Sequence, residues 1–441
     1  MTILADNRRN LWLVICVAIA TSALAHPHSF AASPNVVLII SDDQMWTDFG
    51  FMGHPVIRTP RLDELARESL TFTHGYVPSS LCRPSLASII TGLYPHQHRI
   101  TSNDPALPRG PRFEADYQRM VDHIDQPPAL PRLLGQHGYV SMQTGKWWEG
   151  NFRRGGFTHG MTHGDRDRGG RHGDEGLTIG RQGLQPIAQF LEKNRKQPFL
   201  IWYAPFLPHA PHNPPQTLLD YYRDKTDSIH VARYWAMCEW FDQTVGELLD
   251  LLESHGHTKD TIVAFVTDNG WIQSTDRAAY AAKSKRSPFD GGLRTPIMIR
   301  WPDHVAPKKV DTPVSSIDLA PTILHACGVT PNDRLPGINL LDANAVNQRT
   351  SVMGEIFLHN TRNVDHPADS LTHRWIVADG WKLIVPTGRT DNQEPDNSPP
   401  SSPAELYHII DDVHEERNLA AEQPERVATL RQQLDAWWSG E

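Results

Sequence analysis

The stretch Asn35-Val36-Val37-Leu38-Ile39-Ile40-Ser41-Asp42-Asp43-Gln44 decides the fold class. After Asn35 the residues are apolar and mostly β-branched up to Ile40, and the run ends abruptly in a polar, acidic turn. That pattern predicts a strand buried on both faces, of the kind found inside a parallel sheet, with a loop beyond its carboxyl end. Strand-like segments at 139–143, 199–204, 261–267 and 296–301 continue it, with helical stretches between them. Pro60 opens one such stretch, with Leu62, Leu65 and Ala66 on a common face. The longest, about 230–254, spaces Val231, Tyr234, Trp235, Cys238, Val245, Leu248, Leu249 and Leu252 near the helical period. Strands alternating with helices predict an α/β fold, a large mainly parallel sheet flanked by helices on both faces. In such sheets the chemistry lies beyond the carboxyl ends of the strands.

Two regions depart from this rhythm. Residues 153–183 are rich in Gly, His, Arg and Asp with little periodicity, which reads as a long functional loop. From residue 351 onward a hairpin pattern at 374–385 turns at Asp379-Gly380, a polar Pro-rich loop follows at 391–403, and a helix closes the chain at about 424–438. This predicts a main domain over 34–350 and a smaller C-terminal α+β domain over 351–441. At the amino end, Arg8 and Arg9, an apolar run at 11–20 and Ala23-Leu24-Ala25 have the order of a secretory signal peptide over 1–25. The apolar run is shorter than the roughly 20 residues of a spanning helix. The expectation is an exported protein, periplasmic or extracellular, without a membrane span.

Lys and Arg total 42 against 51 Asp and Glu, for a net charge of -9, which argues against a nucleic-acid partner. An anionic substrate would then need a local cluster of cations. Of the four cysteines, Cys16 lies in the leader, and Cys82, Cys238 and Cys327 are too few for a disulfide framework. Stability must come from burial, for which the length suffices.

Asp42-Asp43 and Asp268-Asn269-Gly270 each follow a predicted buried strand, so a parallel sheet would project both over one edge. Such an oxygen-rich nest suits calcium or magnesium rather than zinc. Singly, each dipeptide also reads as a helix cap or turn. In Leu81-Cys82-Arg83-Pro84-Ser85-Leu86-Ala87-Ser88-Ile89-Ile90-Thr91-Gly92, residues Leu86, Ile89 and Ile90, continued by Leu93, have helical spacing and Pro84 suits a first turn. Cys82 is thereby placed at a helix amino terminus, where the dipole favours negative charge. A lone Cys is otherwise read as a small buried hydrophobe.

Cys82-Arg83-Pro84-Ser85 followed by Thr91-Gly92-Leu93-Tyr94-Pro95-His96 resembles the signature of the formylglycine-dependent sulfatases of the alkaline phosphatase superfamily. In the family's order, Ser41-Asp42-Asp43, Thr144-Gly145-Lys146-Trp147, Pro208-His209-Ala210-Pro211, Thr267-Asp268-Asn269-Gly270 and Lys285 through Asp290-Gly291-Gly292-Leu293-Arg294-Thr295-Pro296 resemble its other motifs. Asp318-Leu319-Ala320-Pro321-Thr322, Glu405-Leu406-Tyr407 and Asn418-Leu419-Ala420 extend the resemblance over nearly the whole mature chain. It implies an alkaline phosphatase-like fold and hydrolysis of a sulfate ester on a small molecule or, better, a glycan.

The resemblance further implies that a maturation enzyme oxidises Cys82 to formylglycine, whose hydrated aldehyde is the nucleophile. Asp42, Asp43, Asp268 and Asn269, with the modified Cys82, would hold Ca2+, Mg2+ being the alternative. Lys146 and Lys285 would bind the sulfate group, and His209 would stand near the leaving oxygen. The choice of nucleophile has its own logic: a serine sulfate is released only by another attack on sulfur, whereas a geminal diol can lose its second hydroxyl proton, expel sulfate and regenerate the aldehyde. The chain departs from the family at Leu86, where Arg is usual, and at Trp148, where His is common. His159, His163 and His172 are the candidates to stand in for that histidine. Arg171, with Arg153, Arg154, Arg166 and Arg168, either grips further acidic groups of a substrate or pairs with Asp165, Asp167, Asp174 and Glu175. His212 either contacts substrate or shapes the turn at Pro211. The competing functions are a phosphodiester or phosphonate monoester hydrolase and a non-catalytic glycan-binding relative.

Overall fold

The computed structural model describes residues 33–389 and 403–441; the leader and nearly all of the Pro-rich loop fall outside them. In chain order the strands are β1 (Asn35–Ser41), β2 (Leu70–Tyr76), β3 (Asp104–Pro105), β4 (Val140–Gly145), β5 (His159–Gly160), β6 (Phe199–Ala204), β7 (Thr261–Thr267), β8 (Arg294–Arg300), β9 (Lys308–Val310), β10 (Val314–Ser315), β11 (Ser351–Phe357), β12 (Asn360–Thr361), β13 (Leu371–Ala378), β14 (Trp381–Pro386) and β15 (Glu405–His408). The large sheet has the order β10-β2-β8-β7-β1-β6-β4-β5, with β9 also on β2.

All seven residues of β1 are buried, and the strand pairs in parallel with β6 and β7. Its continuous apolar run follows from having a core on each side. Side chains alternate across a strand, so Val36, Leu38 and Ile40 pack with Leu86, Ile89, Trp202 and Ala264. Val37 and Ile39 pack on the other face with Leu62, Leu65, Phe241, Val245 and Leu248. The last three belong to the helix Ile229–Ser254, which covers that face. Truncating Ile39 to Ala costs about 2–5 kcal/mol on the usual scale for such sites.

The sheet is mainly parallel, and β8 alone runs against its neighbours β7 and β2. Reversal has a consequence for chemistry. The loop that enters β8 lies at the edge where the parallel strands end, so it can join their carboxyl-end loops. Residues 153–183, expected as loop, also contribute core: β5 extends the sheet edge beside β4, and Phe157 and Ile179 are buried. A two-residue strand is too short to show a period.

The smaller C-terminal sheet is antiparallel, in the order β11-β13-β14-β15. Its hairpin turns at Asp379 (φ 50) and Gly380 (φ 78), both left-handed, as a two-residue turn matched to strand twist requires. The helix Pro424–Trp437 lays Leu430 and Leu434 on one face of this sheet against Ile376, Leu383 and Val385. Val352, Trp375, Val377 and Ile384 on the other face meet Tyr76 at the end of β2, Val77 just after it and Leu293 just before β8. No helix among the described residues is long and apolar enough to cross a membrane.

Candidate active site

Four adjacent parallel strands deliver their carboxyl ends to one place. Asp42 and Asp43 follow β1, Asp268 and Asn269 follow β7, Lys146 follows β4, and His209 lies just beyond β6. Backbone bonds fasten these ends together: Asp268 N donates to Ser41 O (2.9 Å), Asp42 N to Leu207 O (3.0 Å) and Lys146 N to Ala204 O (2.7 Å). Gly145 (φ 76) makes the last approach possible, because a Cβ there would sit 1.8 Å from the Ala204 carbonyl oxygen. Asp43 is left-handed at φ 64, a strain of roughly 1–2 kcal/mol for a residue with a Cβ that places its N–H 3.0 Å from Asp268 Oδ1. Cys82 begins the fully buried helix Cys82–Thr91, and Lys285 arrives on the loop before β8.

The side chains converge on Cys82. Lys285 Nζ donates to Asp43 Oδ1 (2.6 Å) and Oδ2 (2.8 Å) and stands 3.0 Å from Cys82 Sγ. Cys82 Sγ is 3.7 Å from Asp43 Oδ1 and 3.9 Å from Asp42 Oδ1. Lys146 Nζ donates to Asp42 Oδ1 (2.6 Å) and lies 3.9 Å from Asp268 Oδ2. Asn269 Nδ2 donates to Asp43 Oδ1 (2.7 Å). Three carboxylates thus face two ammonium groups, and Asp42, Asp43, Asp268, Asn269, Cys82 and Lys146 are at most 2% exposed.

Charge this crowded shifts the titrations. Burial pushes Asp42 up to about 7 against the pull of Lys146 and His209, with Asp268 and Asp43 adding to the rise. Burial and Asp43 also raise Asp268. Asp43 is held well below the ordinary carboxylate range: burial presses upward, but Lys285, His209 and Lys146 outweigh it. Burial pushes the Cys82 thiol well up despite the lysines, so Sγ is a neutral thiol and a poor nucleophile in that form.

Asp42 Oδ2, Asp268 Oδ2 and Asn269 Oδ1 are buried without a hydrogen-bond partner. Leaving such atoms unmet costs about 1–3 kcal/mol each, more when charged. All three are hard oxygen donors from converging strand ends. One ligand atom each from Asp42, Asp43, Cys82 and His209 also lies within 4.8 Å of the others. The donor set fits a divalent calcium- or magnesium-type cation.

An aromatic arc borders the cluster. His209 stacks on Phe206 at 4.3 Å, Phe206 lies 6.1 Å from the His172 ring, and His172 meets Trp148 edge-on at 4.5 Å. The His209 Nδ1 contact to Ala210 O is 2.6 Å, while Nε2 lies 3.4 Å from Asp43 Oδ2. Burial pushes His209 down to about 4 against the pull of Asp42 and Asp43, and pushes His172 to about 3 with help from Lys146, Arg171 and Lys285. Of the three loop histidines, His172 is the one whose ring meets Trp148. Arg171 pairs with Asp104 and lies over the Trp148 ring at 5.0 Å. His212 packs on Tyr234 and Trp271, and burial lowers it to about 4. His163 stands apart: it is exposed, its N–H bonds to Asp174 and its ring meets Phe152. His159 packs on Phe190. Leu86, in place of the usual Arg, lies in the apolar core.

Sequence reading missed three contributors. Phe206 carries the arc and lies 5.4 Å from Lys146 Nζ. Arg83 and Glu149 form a buried two-pronged pair (2.8 and 2.7 Å) that ties the turn bearing Cys82 to the segment bearing Lys146. An acidic residue directly after two tryptophans was the one local signal for Glu149. Arg83 directly follows Cys82 yet carried no sign of its partner.

This fold and this edge cluster define a hydrolase of the alkaline phosphatase type. A family model described as Sulfatase matches residues 34–329, and one described as N-sulphoglucosamine sulphohydrolase, C-terminal, matches 280–434; the chain belongs to the sulfatase family. It is similar to the N-acetylgalactosamine-6-sulfatase of Homo sapiens, 31% identical over 354 residues that cover 70% of this chain and 65% of that protein's length. Among solved structures it shares its fold with the PsFucS1 sulfatase of Pseudoalteromonas sp. (TM-score 0.68, 18% identity, 92% of this chain and 90% of that one). It shares it also with the phosphonate monoester hydrolase of Agrobacterium radiobacter (TM-score 0.65, 17% identity, 91% and 95%).

Proposed function

We propose that this chain hydrolyses a sulfate ester on a carbohydrate, with Cys82 matured to formylglycine by a dedicated enzyme and with Ca2+ held by Asp42, Asp43, Asp268, Asn269 and the modified residue. The observation that carries the reading is the meeting at Cys82 of two lysines and an oxygen set with three unpartnered buried atoms. The formylglycine hydroxyl and the cation would together supply a nucleophile that the buried thiol does not, and would polarise the sulfo group.

The remaining roles belong to side chains present in the chain. Lys285 and Lys146, anchored by Asp43 and Asp42, hold the sulfo oxygens and offset their growing charge. With Nδ1 engaged by the Ala210 carbonyl, Nε2 of His209 is the atom left to face the leaving oxygen; burial holds the ring neutral in the bare site, so its delivery of a proton there depends on the negative charge that a bound sulfate ester adds. Phe206, Trp148 and His172 limit water at the reacting atoms. Arg171 and His212 contact the rest of the substrate. In this reading 34–350 is the catalytic domain and 351–441 a smaller subdomain. The sugar as substrate class is supported by the likeness to N-acetylgalactosamine-6-sulfatase.

The test is release of inorganic sulfate from 6-sulfated N-acetylgalactosamine oligosaccharides, beside release of phosphonate from a phosphonate monoester. The expected result is sulfate release that is lost in Cys82→Ala and on calcium chelation. Faster turnover of the phosphonate ester, or activity indifferent to Cys82, would overturn it.

A further inference from the structure

The loop that presents Lys285 has an uncommon backbone. Lys283 (φ 55) and Arg286 (φ 67), on either side of Lys285, are both left-handed. Such a shape at residues with a Cβ persists where the surroundings over-determine it. Much of that determination comes from the C-terminal sheet and the turn after it.

Glu415, itself left-handed at φ 55 and 1% exposed, grips both ends of the loop. Its backbone carbonyl accepts from Lys283 Nζ, and its Oε2 accepts the Asp290 N–H at 2.6 Å. Its other carboxylate oxygen pairs at 2.8 Å with Lys382 Nζ on β14. Lys382, fully buried, donates to Asp290 Oδ1 at 2.7 Å, and Tyr76 donates to Asp290 Oδ2 at 3.2 Å. The Lys283 ammonium also lies 4.8 Å from the Phe289 ring and 5.7 Å from that of Tyr407 on β15. In the middle of the loop, Ser80 takes the Arg286 N–H at 2.8 Å and donates to the Ser287 carbonyl at 2.7 Å.

Adhesion does not explain these groups. Tyr76, Val77, Leu293, Trp375 and Ile384 already join the two sheets by apolar contact. Burying Asp290, Lys382 and Glu415 among them costs desolvation that an apolar trio would avoid, and what a directional network adds is a fixed geometry. The C-terminal family match begins at residue 280, ahead of this loop, and runs through the second sheet.

We propose that Glu415, Lys382 and Lys283 are positioning residues through which the C-terminal sheet sets the aim of Lys285 at Cys82 and Asp43. The proposal rests on the reading of Lys285 as a ligand of the sulfo group. The second sheet is then part of the alignment of the active site.

A double-mutant cycle tests it. Glu415→Gln and the milder, half-buried Lys283→Met are each made in the native and the Lys285→Ala backgrounds. Rates are referred to the fraction of converted Cys82 measured by mass, and kcat, KM and inhibition by inorganic sulfate are read for each. In the native background kcat/KM is expected to fall roughly tenfold for Lys283→Met and roughly ten- to a hundredfold for Glu415→Gln, with weaker sulfate inhibition. In the Lys285→Ala background the same changes are expected to cost less than about twofold. Leu434→Ala, a cavity in the same sheet's outer core, is expected to lower the thermal midpoint and leave kcat/KM within about twofold. Equal losses in both backgrounds, native kinetics in both variants, or an equal loss in Leu434→Ala would each overturn the clamp. Full sulfate-ester activity in Lys285→Ala itself would overturn the underlying site reading along with it.

Discussion

Around Cys82, the carboxylates of Asp42, Asp43 and Asp268 face Lys146 and Lys285, and three oxygens are left buried with no partner. Around Asp290, the carboxylates of Asp290 and Glu415 face Lys382, with Arg294 4.0 Å from Asp290 and Lys283 on the Glu415 carbonyl. Both oxygens of Asp290 are engaged there, one by Lys382 and the other by Tyr76. Both centres are buried, ionic and built from residues distant in sequence. They differ in whether their own side chains balance the charge. A centre whose cations match its carboxylates is a joint, and a centre with three carboxylates against two ammonium groups is a socket.

The comparison can be broken at several points. Cys82→Ala is expected to lower sulfate release by at least about 10^4-fold with the thermal midpoint nearly unchanged, as loss of a nucleophile does; assay and thermal scan together check it. Removal of calcium is expected to abolish activity reversibly. Calcium at a hundred times its Kd should add about 2.7 kcal/mol of stability, read as a raised midpoint.

Stability should separate joint from socket by sign. Lys382→Met removes the ammonium that two buried carboxylates share and is expected to cost about 3–5 kcal/mol in urea unfolding. Asp268→Asn in calcium-free protein removes one of three crowded carboxylates and is expected to stabilise by about 1 kcal/mol at pH 8. Asp268 has a raised native pKa, so the native state holds its proton more tightly than the unfolded chain. Its cost therefore grows as pH rises past the ordinary carboxylate range, and the gain from Asp268→Asn should shrink as pH is lowered. A destabilising Asp268→Asn without calcium would remove the distinction. The smallest effect is expected at the rim: Arg171→Ala should raise KM for a polyanionic glycan about two- to fivefold, less at high salt.

What could be read in advance follows from how local each signal was. The run at 35–40 announced a two-sided core because neither polar alternation nor helical spacing interrupts it, and β1 lies mid-sheet. The acidic pairs after β1 and β7 were legible because strand ends in a parallel sheet share an edge. The reversal of β8 was not, since an apolar run reads alike in either direction. Arg83 and Glu149 are 66 residues apart, Asp290 and Lys382 92, and Asp290 and Glu415 125. No periodicity links partners at such separations; only the folded chain brings them together. Of the loop histidines, composition offered three, and His172 alone reaches the aromatic arc, because the turn that follows Gly169 brings it against Trp148.

The central claim is that the residue opening the helix Cys82–Thr91 acts as an oxidised cysteine in a cation socket. The most direct measurement is the mass of the tryptic peptide carrying Cys82, taken from protein that is active in sulfate release. The account predicts a loss of about 18 Da, thiol replaced by aldehyde, in the active fraction. An active fraction in which Cys82 is uniformly an unmodified thiol would contradict it.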